Sequence, residues 1–573
     1  MKVDTTNFVY NPVKFWHWPR PNLPSLGFLD KTPPWRDIST GHFGRGTMGE
    51  KSIEIEEIEE IELDWLKKWA QFHPEKTALI DGDSGRRLSY GEFYHQSCAG
   101  AYFLKQKFGV GRGDRVAMLA QNSLDLFVLF FACQRLGAIL VPMNFRLTQR
   151  ELDHILSDSE PKVFVGQEIY HSVWRESAEP RTSAWCSLEG SGSFSESLKT
   201  TKFQDTAEVW PTKNRDAVMI LYTSGTTGFP KGAVLSHQML FWNSINTALR
   251  LSLSSVDSAV IFLPLFHTGG WNVLSTPLLH HGATVILTKK FDPAQVLSLS
   301  TEHQTTLIFG VPTTMQLMSR ENLFADADLK SVRYAIVGGE PMPVESIKTW
   351  QAKGVPIRQG YGLTEFGPNV FSLSERDSQR KMGSIGFANF YTQVKVVDDE
   401  NHELGADTIG ELCLKGPMCM TEYWRNPKAT AETIRDGWLH TGDLVRFDSE
   451  GYFYVVGRKK DMFISGGENV YPTEVEAVLR AIPGILEVAV IGIPDDKWGE
   501  VGQAFLVLDP KSKATPPTQT DLLRHCQQNL AKFKIPKHFV TVPTLPKGDS
   551  GKILKRELQR EWQAGEISLS PLV

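Results

Sequence analysis

From Arg115 onward, short apolar runs alternate with amphipathic segments, and this alternation leaves few folds open to the chain. Residues 116–120 read as a strand, 123–136 as a helix, 138–142 as a strand, 148–157 as a helix and 162–166 as a strand. Strands separated by helices line up in parallel, with the helices crossing over the sheet faces. Strand-like runs resume at 259–263, 284–287, 306–309 and 332–337. The expected class is therefore α/β with parallel sheets. The greasiest run, 126–133, is bounded by Asp125 and by Gln134-Arg135. It is too short to span a bilayer and reads as a core helix.

At 573 residues the chain exceeds one ordinary core, so two or more domains are expected. Patterns of strands and turns over 394–456 suggest a β-rich subdomain within a large N-terminal domain, 51–457. The short charged stretch 458–461 reads as a hinge, and 462–573 as a compact α/β C-terminal domain with elements near 473–481, 487–491, 503–507 and 521–530. Residues 1–50 form an extension of unknown role; Phe15, Trp16, Trp18 and Trp35 favour a docked arm over a disordered tail. Ile58, Ile61, Trp65 and Trp69 follow helical spacing and predict an amphipathic surface helix over 53–69. The Ser- and Gly-rich stretch 183–202 reads as a surface loop or sheet edge.

A formal net charge of −5 gives no footprint for nucleic acid. Six cysteines without a CxxC pair argue against a zinc site or disulfide framework and fit a reducing compartment. No apolar leader or transmembrane segment is visible, so the expected location is cytoplasmic. No motif speaks to oligomeric state, and a homodimer stays among the open alternatives.

Chemistry concentrates where the apolar strand 218–221 breaks into Thr223-Ser224-Gly225-Thr226-Thr227-Gly228-Phe229-Pro230-Lys231. Backbone N–H groups and hydroxyls of such a loop form an anion-binding concavity, and a lysine adds a point charge suited to phosphate. A Walker loop is excluded, because Gly-Lys followed by Ser or Thr is absent. This loop resembles the phosphate loop of the adenylate-forming superfamily, which includes acyl-CoA synthetases, luciferases and peptide-synthetase adenylation domains. Further segments fit in the expected order: 359–365 (QGYGLTE), 437–443 (GWLHTGD), 457–461 (GRKKD) with 466–472 (GGENVYP), and 550–552 (SGK).

The resemblance implies roles for particular residues. The loop Thr223 to Gly228 and Lys231 would hold ATP phosphates. Gly360, Tyr361 and Gly362 would border adenine, with Tyr361 stacked on it, and Thr364 would touch the α-phosphate. Glu365 would bind Mg2+; a carboxylate is a natural ligand for so hard a cation. Asp443 would accept the ribose hydroxyls, and Arg458 would contact ribose or phosphate. Gly338, Gly339 and Glu340 would border adenine and the acyl pocket, which His267, Trp271 and Gly339 would line. Lys552 would reach across the domain interface to the carboxylate and α-phosphate, although Gly548 and Asp549 depart from the usual Thr or Pro there. Lys460 would be the pivot of a domain rotation, and Ser465, Gly466 and Gly467 would leave room for the pantetheine of CoA.

The activity implied is an ATP-dependent acid–CoA ligase with Mg2+ as cofactor and CoA as co-substrate, acting on a carboxylic acid expected to be a medium- or long-chain fatty acid. The alternatives are an aromatic acid–CoA ligase, an acyl-AMP ligase that loads a carrier protein, and an inactive homologue serving as a binding module.

Overall fold

The computed structural model describes residues 64–177, 183–201, 213–223, 230–339, 342–510, 512, 514–548 and 552–567. The expected arm 1–50 and the helix positions Ile58 and Ile61 lie outside the described residues.

Two parallel-rich sheets form the body. A six-stranded sheet runs Ala184–Ser187, Val163–Gly166, Arg115–Leu119, Ile139–Pro142, Ala217–Thr223, Lys231–Ser236. All neighbours are parallel except the last pair, which closes as an antiparallel hairpin. A nine-stranded sheet is parallel through its middle, where Ile357–Leu363, Tyr334–Val337, Leu307–Gly310, Ser258–Ile261, Thr284–Leu287 and Thr77–Asp81 follow in order. Antiparallel strands finish both of its edges. The α/β class follows, as the alternation of the sequence requires.

The apolar run is the helix Leu124–Leu136, capped at its end by Gly137 in the left-handed conformation, φ 63°. Only Gln134 of this helix is not buried. Arg135 is tolerated inside because its guanidinium pairs with Asp64 at 2.8 Å and lies over the Tyr94 ring. The helix expected over 53–69 instead begins at Trp65 and runs to Phe72, because Asp64 caps it by accepting from the Lys67 N–H at 2.9 Å; it docks its aromatic side, with Trp65 stacked on His280 and Trp69 Nε1 donating to the His280 carbonyl at 2.8 Å. The stretch 183–202 supplies the sheet edge that the sequence allowed: Ala184–Ser187 is the edge strand of the six-stranded sheet. It also holds a helix, Phe194–Thr200, whose Phe194 is fully buried and whose cap is Ser193, accepting from the Glu196 N–H; composition alone reads such a serine as loop.

Two smaller sheets follow. Strands Gln393–Val397, Gly410–Lys415, Trp438–Phe447 and Phe453–Arg458 form an antiparallel sheet, with Ile434–Arg435 pairing at its edge. The chain leaves this sheet at Arg458, makes a 3-10 turn through Lys459–Asp461, and enters the last sheet at Phe463–Ser465. That last sheet draws every strand from 463–541, and two apolar clusters within 463–567 give it a core of its own. Among the described residues no helix is long and apolar enough to cross a membrane.

Candidate functional site

Three sheets contribute to one polar centre. The hairpin of the six-stranded sheet places Thr223 opposite Lys231, and Thr223 Oγ1 donates to Glu365 Oε1 at 3.3 Å. Glu365 sits in the 3-10 turn Thr364–Phe366, at the carboxyl end of Ile357–Leu363, which is the end of a parallel strand where ligands collect. The same Oε1 accepts from the Tyr423 hydroxyl at 2.9 Å. The backbone 420–424 stitches these parts together: Met420 N–H donates to the Glu365 carbonyl at 2.8 Å, and Trp424 N–H to the Gly232 carbonyl at 2.7 Å. The Lys231 ammonium lies 5.3 Å from the centroid of the Tyr423 ring, a cation–π contact on the hairpin side of the centre.

The antiparallel sheet supplies the second half. Asp443 and Arg458 are register partners on Trp438–Phe447 and Phe453–Arg458. Arg458 Nε meets Asp443 Oδ1 at 2.6 Å, and the Tyr361 hydroxyl donates to Oδ2 at 2.6 Å. Asp443 thus ties the nine-stranded sheet to the antiparallel one. Burial and the Asp443 charge hold the Tyr361 phenol well above its ordinary range, so it remains a neutral donor. Burial works against the charge of Arg458, but Asp443, Tyr361 and Glu365 together raise its pKa. Burial and Glu365 likewise keep Tyr423 protonated.

A chain of contacts runs from this centre to the turn Lys459–Asp461. Gly442 N–H donates to Glu411 Oε1 at 3.1 Å, and Glu411 Oε2 lies 3.4 Å from the Lys459 ammonium. Lys459 also pairs with Asp399 at 2.7 Å. His440 Nδ1 lies 3.5 Å from Glu411 Oε2 and 3.4 Å from Cys413 Sγ. Burial pushes the Cys413 thiol up to about 12, so this Cys–His–Glu cluster is no nucleophilic triad.

The remaining expected residues are distributed as follows. Gly338 and Gly339 end the strand Tyr334–Val337, and Gly360 lies alongside on Ile357–Leu363, with Gly362 two residues further. Half-buried His267 precedes the π-type turn Gly269–Val273, and its carbonyl accepts from the Gly270 N–H at 3.0 Å. Lys460 is exposed in its turn. Ser465 is buried, and Gly466 N–H donates to the Trp498 carbonyl at 2.8 Å with the Trp498 ring against its α-carbon; Gly467 is exposed. Lys552 is exposed on a short return of the C-terminal domain, where its carbonyl accepts from the Gly548 N–H at 2.7 Å. Ser224, Gly225, Thr226, Thr227, Gly228 and Glu340 lie outside the described residues, as do Ser550 and Gly551.

Trp271 is a correction. It has no accessible surface and so lines no open pocket. Its ring packs 5.1 Å from Phe127 and 5.3 Å from Phe130 of the core helix, and its Nε1 is held by the Leu265 carbonyl. An aromatic among small residues reads as a pocket wall in sequence, but here the π-type turn directs it into the core.

Tyr423, Glu411 and Thr441 escaped the sequence reading. Thr441 Oγ1 accepts from the Asp443 N–H at 3.0 Å, and its motif 437–443 was the one available signal. Tyr423 and Glu411 stand outside every motif, and their partners are distant in sequence.

Chemically, the centre offers a carboxylate and a hydroxyl as hard oxygen ligands at Glu365 and Thr223, which fit magnesium. It also offers a cation at Lys231 and a carboxylate beside a guanidinium at Asp443 and Arg458, which fit phosphate and a diol.

A family model described as AMP-binding enzyme matches residues 66–424, and one described as AMP-binding enzyme C-terminal domain matches residues 474–552. The chain is 38% identical over 498 residues to a feruloyl-CoA synthase of Amycolatopsis sp, covering 87% of this chain and 98% of that protein. It is 35% identical over 507 residues to the long-chain-fatty-acid–CoA ligase FadD13 of Mycobacterium tuberculosis, again covering 87% and 98%. Among solved structures, ATP-bound MatB from Rhodopseudomonas palustris matches with a TM-score of 0.81 at 31% identity, covering 88% of this chain and 100% of that one. The o-succinylbenzoate CoA synthetase MenE from Bacillus subtilis, in complex with its acyl-adenylate intermediate, matches with a TM-score of 0.77 at 32% identity, covering 86% and 97%.

Proposed function

Since the chain belongs to the AMP-binding enzyme family and is an adenylate-forming acyl-CoA ligase, we propose that it joins a carboxylic acid to CoA in two steps at the centre built by Glu365, Asp443, Arg458, Tyr361 and Tyr423. In the first step a carboxylate oxygen attacks the α-phosphorus of ATP, the bond to the β-phosphate oxygen breaks, and pyrophosphate leaves. In the second, the CoA sulfur attacks the acyl carbon, the thiol proton is lost, and AMP leaves.

The observation that carries this reading is the convergence of three sheets on Glu365 and Asp443. Tyr423 and Thr223 orient the Glu365 carboxylate toward a metal. Magnesium there would neutralise phosphate charge. Asp443, fixed by Arg458 and Tyr361, presents its oxygens to the ribose. Lys231 lies on the phosphate side. Such a site works by positioning and fixed electrostatics. Lys552 joins for the first step, and the face bearing Ser465, Gly466 and Gly467 for the second, with Lys460 as pivot.

For the acid, an aromatic carboxylate has the support of the feruloyl-CoA synthase relative, and the FadD13 relative supports a fatty acid. The test is acid-dependent release of pyrophosphate and, with CoA added, of AMP, across short, long-chain and aromatic acids. Absence of acid-dependent pyrophosphate release throughout would remove the reading.

A further inference from the structure

The strand Trp438–Phe447 is irregular where it carries Asp443. Against Gly410–Lys415 the register passes from Cys413 opposite His440 to Glu411 opposite Leu444, so Thr441, Gly442 and Asp443 bulge across from Leu412. The bulge turns on Gly442 at φ 68°, a left-handed conformation that glycine adopts without strain. A bulge interrupts the ladder, and the Glu411 side chain supplies an acceptor there: its Oε1 takes the Gly442 N–H at 3.1 Å. Thr441 secures the other side, donating to the Leu412 carbonyl at 2.8 Å and accepting from the Asp443 N–H at 3.0 Å.

The second oxygen of Glu411 serves the turn that follows Arg458. Oε2 lies 3.4 Å from the Lys459 ammonium, and the Glu411 side chain is 11% exposed. Lys459 meets Asp399 more closely, at 2.7 Å, but that carboxylate is 80% exposed and water screens the pair. The buried carboxylate sits in a lower dielectric, where the same charge attracts more strongly. His440 also borders Oε2, at 3.5 Å, and burial lowers its pKa, so Lys459 supplies the cation of this pair. The next residue differs. Lys460 is exposed and forms no ion pair among the described residues. Of two consecutive lysines, one is tied to the sheet and the other is loose.

Resting on the ligase reading above, we infer that Glu411 is a positioning residue of the reaction. Its two oxygens join the bulge that presents Asp443 to the residue just before the pivot. Lys459 then stays with the large domain, and rotation starts at Lys460. Because the tie lies on the stationary side of the pivot, it serves both half-reactions. The C-terminal domain swings from a point referenced to the ribose subsite.

Three substitutions in the full-length enzyme separate the two oxygens. Glu411→Gln keeps an acceptor for the Gly442 N–H and loses the charge that faces Lys459. Lys459→Met removes the cation, and Glu411→Ala removes both contacts. In Glu411→Gln and Lys459→Met, the single-turnover rates of acyl-AMP formation and of thioester formation should fall together by roughly tenfold, within the ~100-fold that a 1 Å misplacement can cost. The KM for ATP should hold in both and rise only in Glu411→Ala. Lys459→Arg should restore both rates, and the double variant Glu411→Gln, Lys459→Met should be no slower than Lys459→Met. Hydrogen exchange gives a readout that needs no activity. The Met462 amide closes the turn by donating to the Arg458 carbonyl at 3.2 Å. It should exchange several-fold faster in Glu411→Gln and Lys459→Met, and at the wild-type rate in Lys459→Arg. Lys459 is exposed, so its variants carry the test even where Glu411→Ala fails to fold. Unchanged exchange, loss of only one half-reaction, losses that multiply in the double variant, or an equal rise of the KM for ATP in Glu411→Gln and Glu411→Ala would overturn the proposal. Absence of acid-dependent pyrophosphate release in wild type would instead remove the ligase reading, and exchange would still decide whether Glu411 holds the turn.

Discussion

Two lysine-bearing hairpins frame the proposed chemistry, and they are built differently. Lys231 opens a strand laddered to Ala217–Thr223 on one side and bridged to Tyr423 on the other. Lys552 is exposed on a short return where the Lys547–Ile553 bridge is made by two backbone bonds, Gly548 N–H to the Lys552 carbonyl and Leu554 N–H to the Pro546 carbonyl. A strand paired on both flanks keeps its charge in one place. A short exposed return on a body with its own core is the part that the proposed domain rotation would carry. On that proposal the phosphate-side lysine is built into a ladder, and the lysine that joins only the first step rides on the far side of the turn Lys459–Asp461.

The sharpest way to break this contrast is to separate the half-reactions. Lys552→Ala should abolish acyl-AMP formation yet still convert supplied acyl-AMP and CoA into thioester. Lys460→Pro should do the reverse, because proline fixes φ and a pivot must absorb a large φ/ψ change. Single-turnover assays of each step decide it. Equal loss of both steps in both variants would end the alternation reading.

Next in size are changes on the laddered side. Lys231→Ala and Glu365→Gln should lower kcat/KM by about 10²- to 10³-fold for every acid tested, as for the loss of one fixed electrostatic contact. Phosphate and metal contacts do not depend on the acyl group. Near-wild-type ATP–pyrophosphate exchange in either variant counts against the centre described here.

What the sequence made legible divides along the same line. Strand and helix order could be read because each element announces itself by local period, and the site motifs because each is contiguous. Residues that meet only in the fold could not. Tyr423 reaches Glu365 across 58 positions, and Asn243 reaches Asn272 across 29. Trp271 misled because aromatic character shows in sequence while burial does not. In the serine-rich stretch 183–202 the sheet edge was legible but the helix Phe194–Thr200 was not, because Ser193, which caps it, looks like a loop serine.

A smaller effect tests the bracing of Glu365. Tyr423→Phe removes one hydroxyl donor and keeps the ring beneath Lys231. Loss of a partner that orients a metal ligand typically costs 10- to 100-fold in metal affinity or activity. The lower end, about tenfold in the apparent magnesium constant, is expected because Thr223 still donates at 3.3 Å. An unchanged magnesium dependence would place Tyr423 outside the metal site.

The smallest effect concerns how firmly the Lys231 hairpin is rooted. Its second strand runs directly into the helix His237–Leu251, with Ser236 as cap and buried His237 as the first helical residue. Burial lowers the His237 pKa to about 4, although the Asp216 charge pulls the other way. The unfolded chain holds its histidine near 6.5, so between these values the unfolded state binds the extra proton. The stability contributed by neutral His237 is therefore complete above about pH 6.5. It falls as the pH drops through the window, by about 1.4 kcal/mol per unit, and levels off near 4. Replacing His237 by Gln removes this titration, so the melting-temperature advantage of wild type should narrow steadily from pH 6.5 toward 4. Carboxylates that titrate in the same range affect both proteins and cancel in the difference. Hydrogen exchange at the lower pH should show protection lost first at the backbone of Lys231–Ser236, while the return that carries Lys552 keeps its own rate. Parallel melting curves, or exchange that rises equally in both hairpins, would mean that the Lys231 hairpin is not rooted through His237.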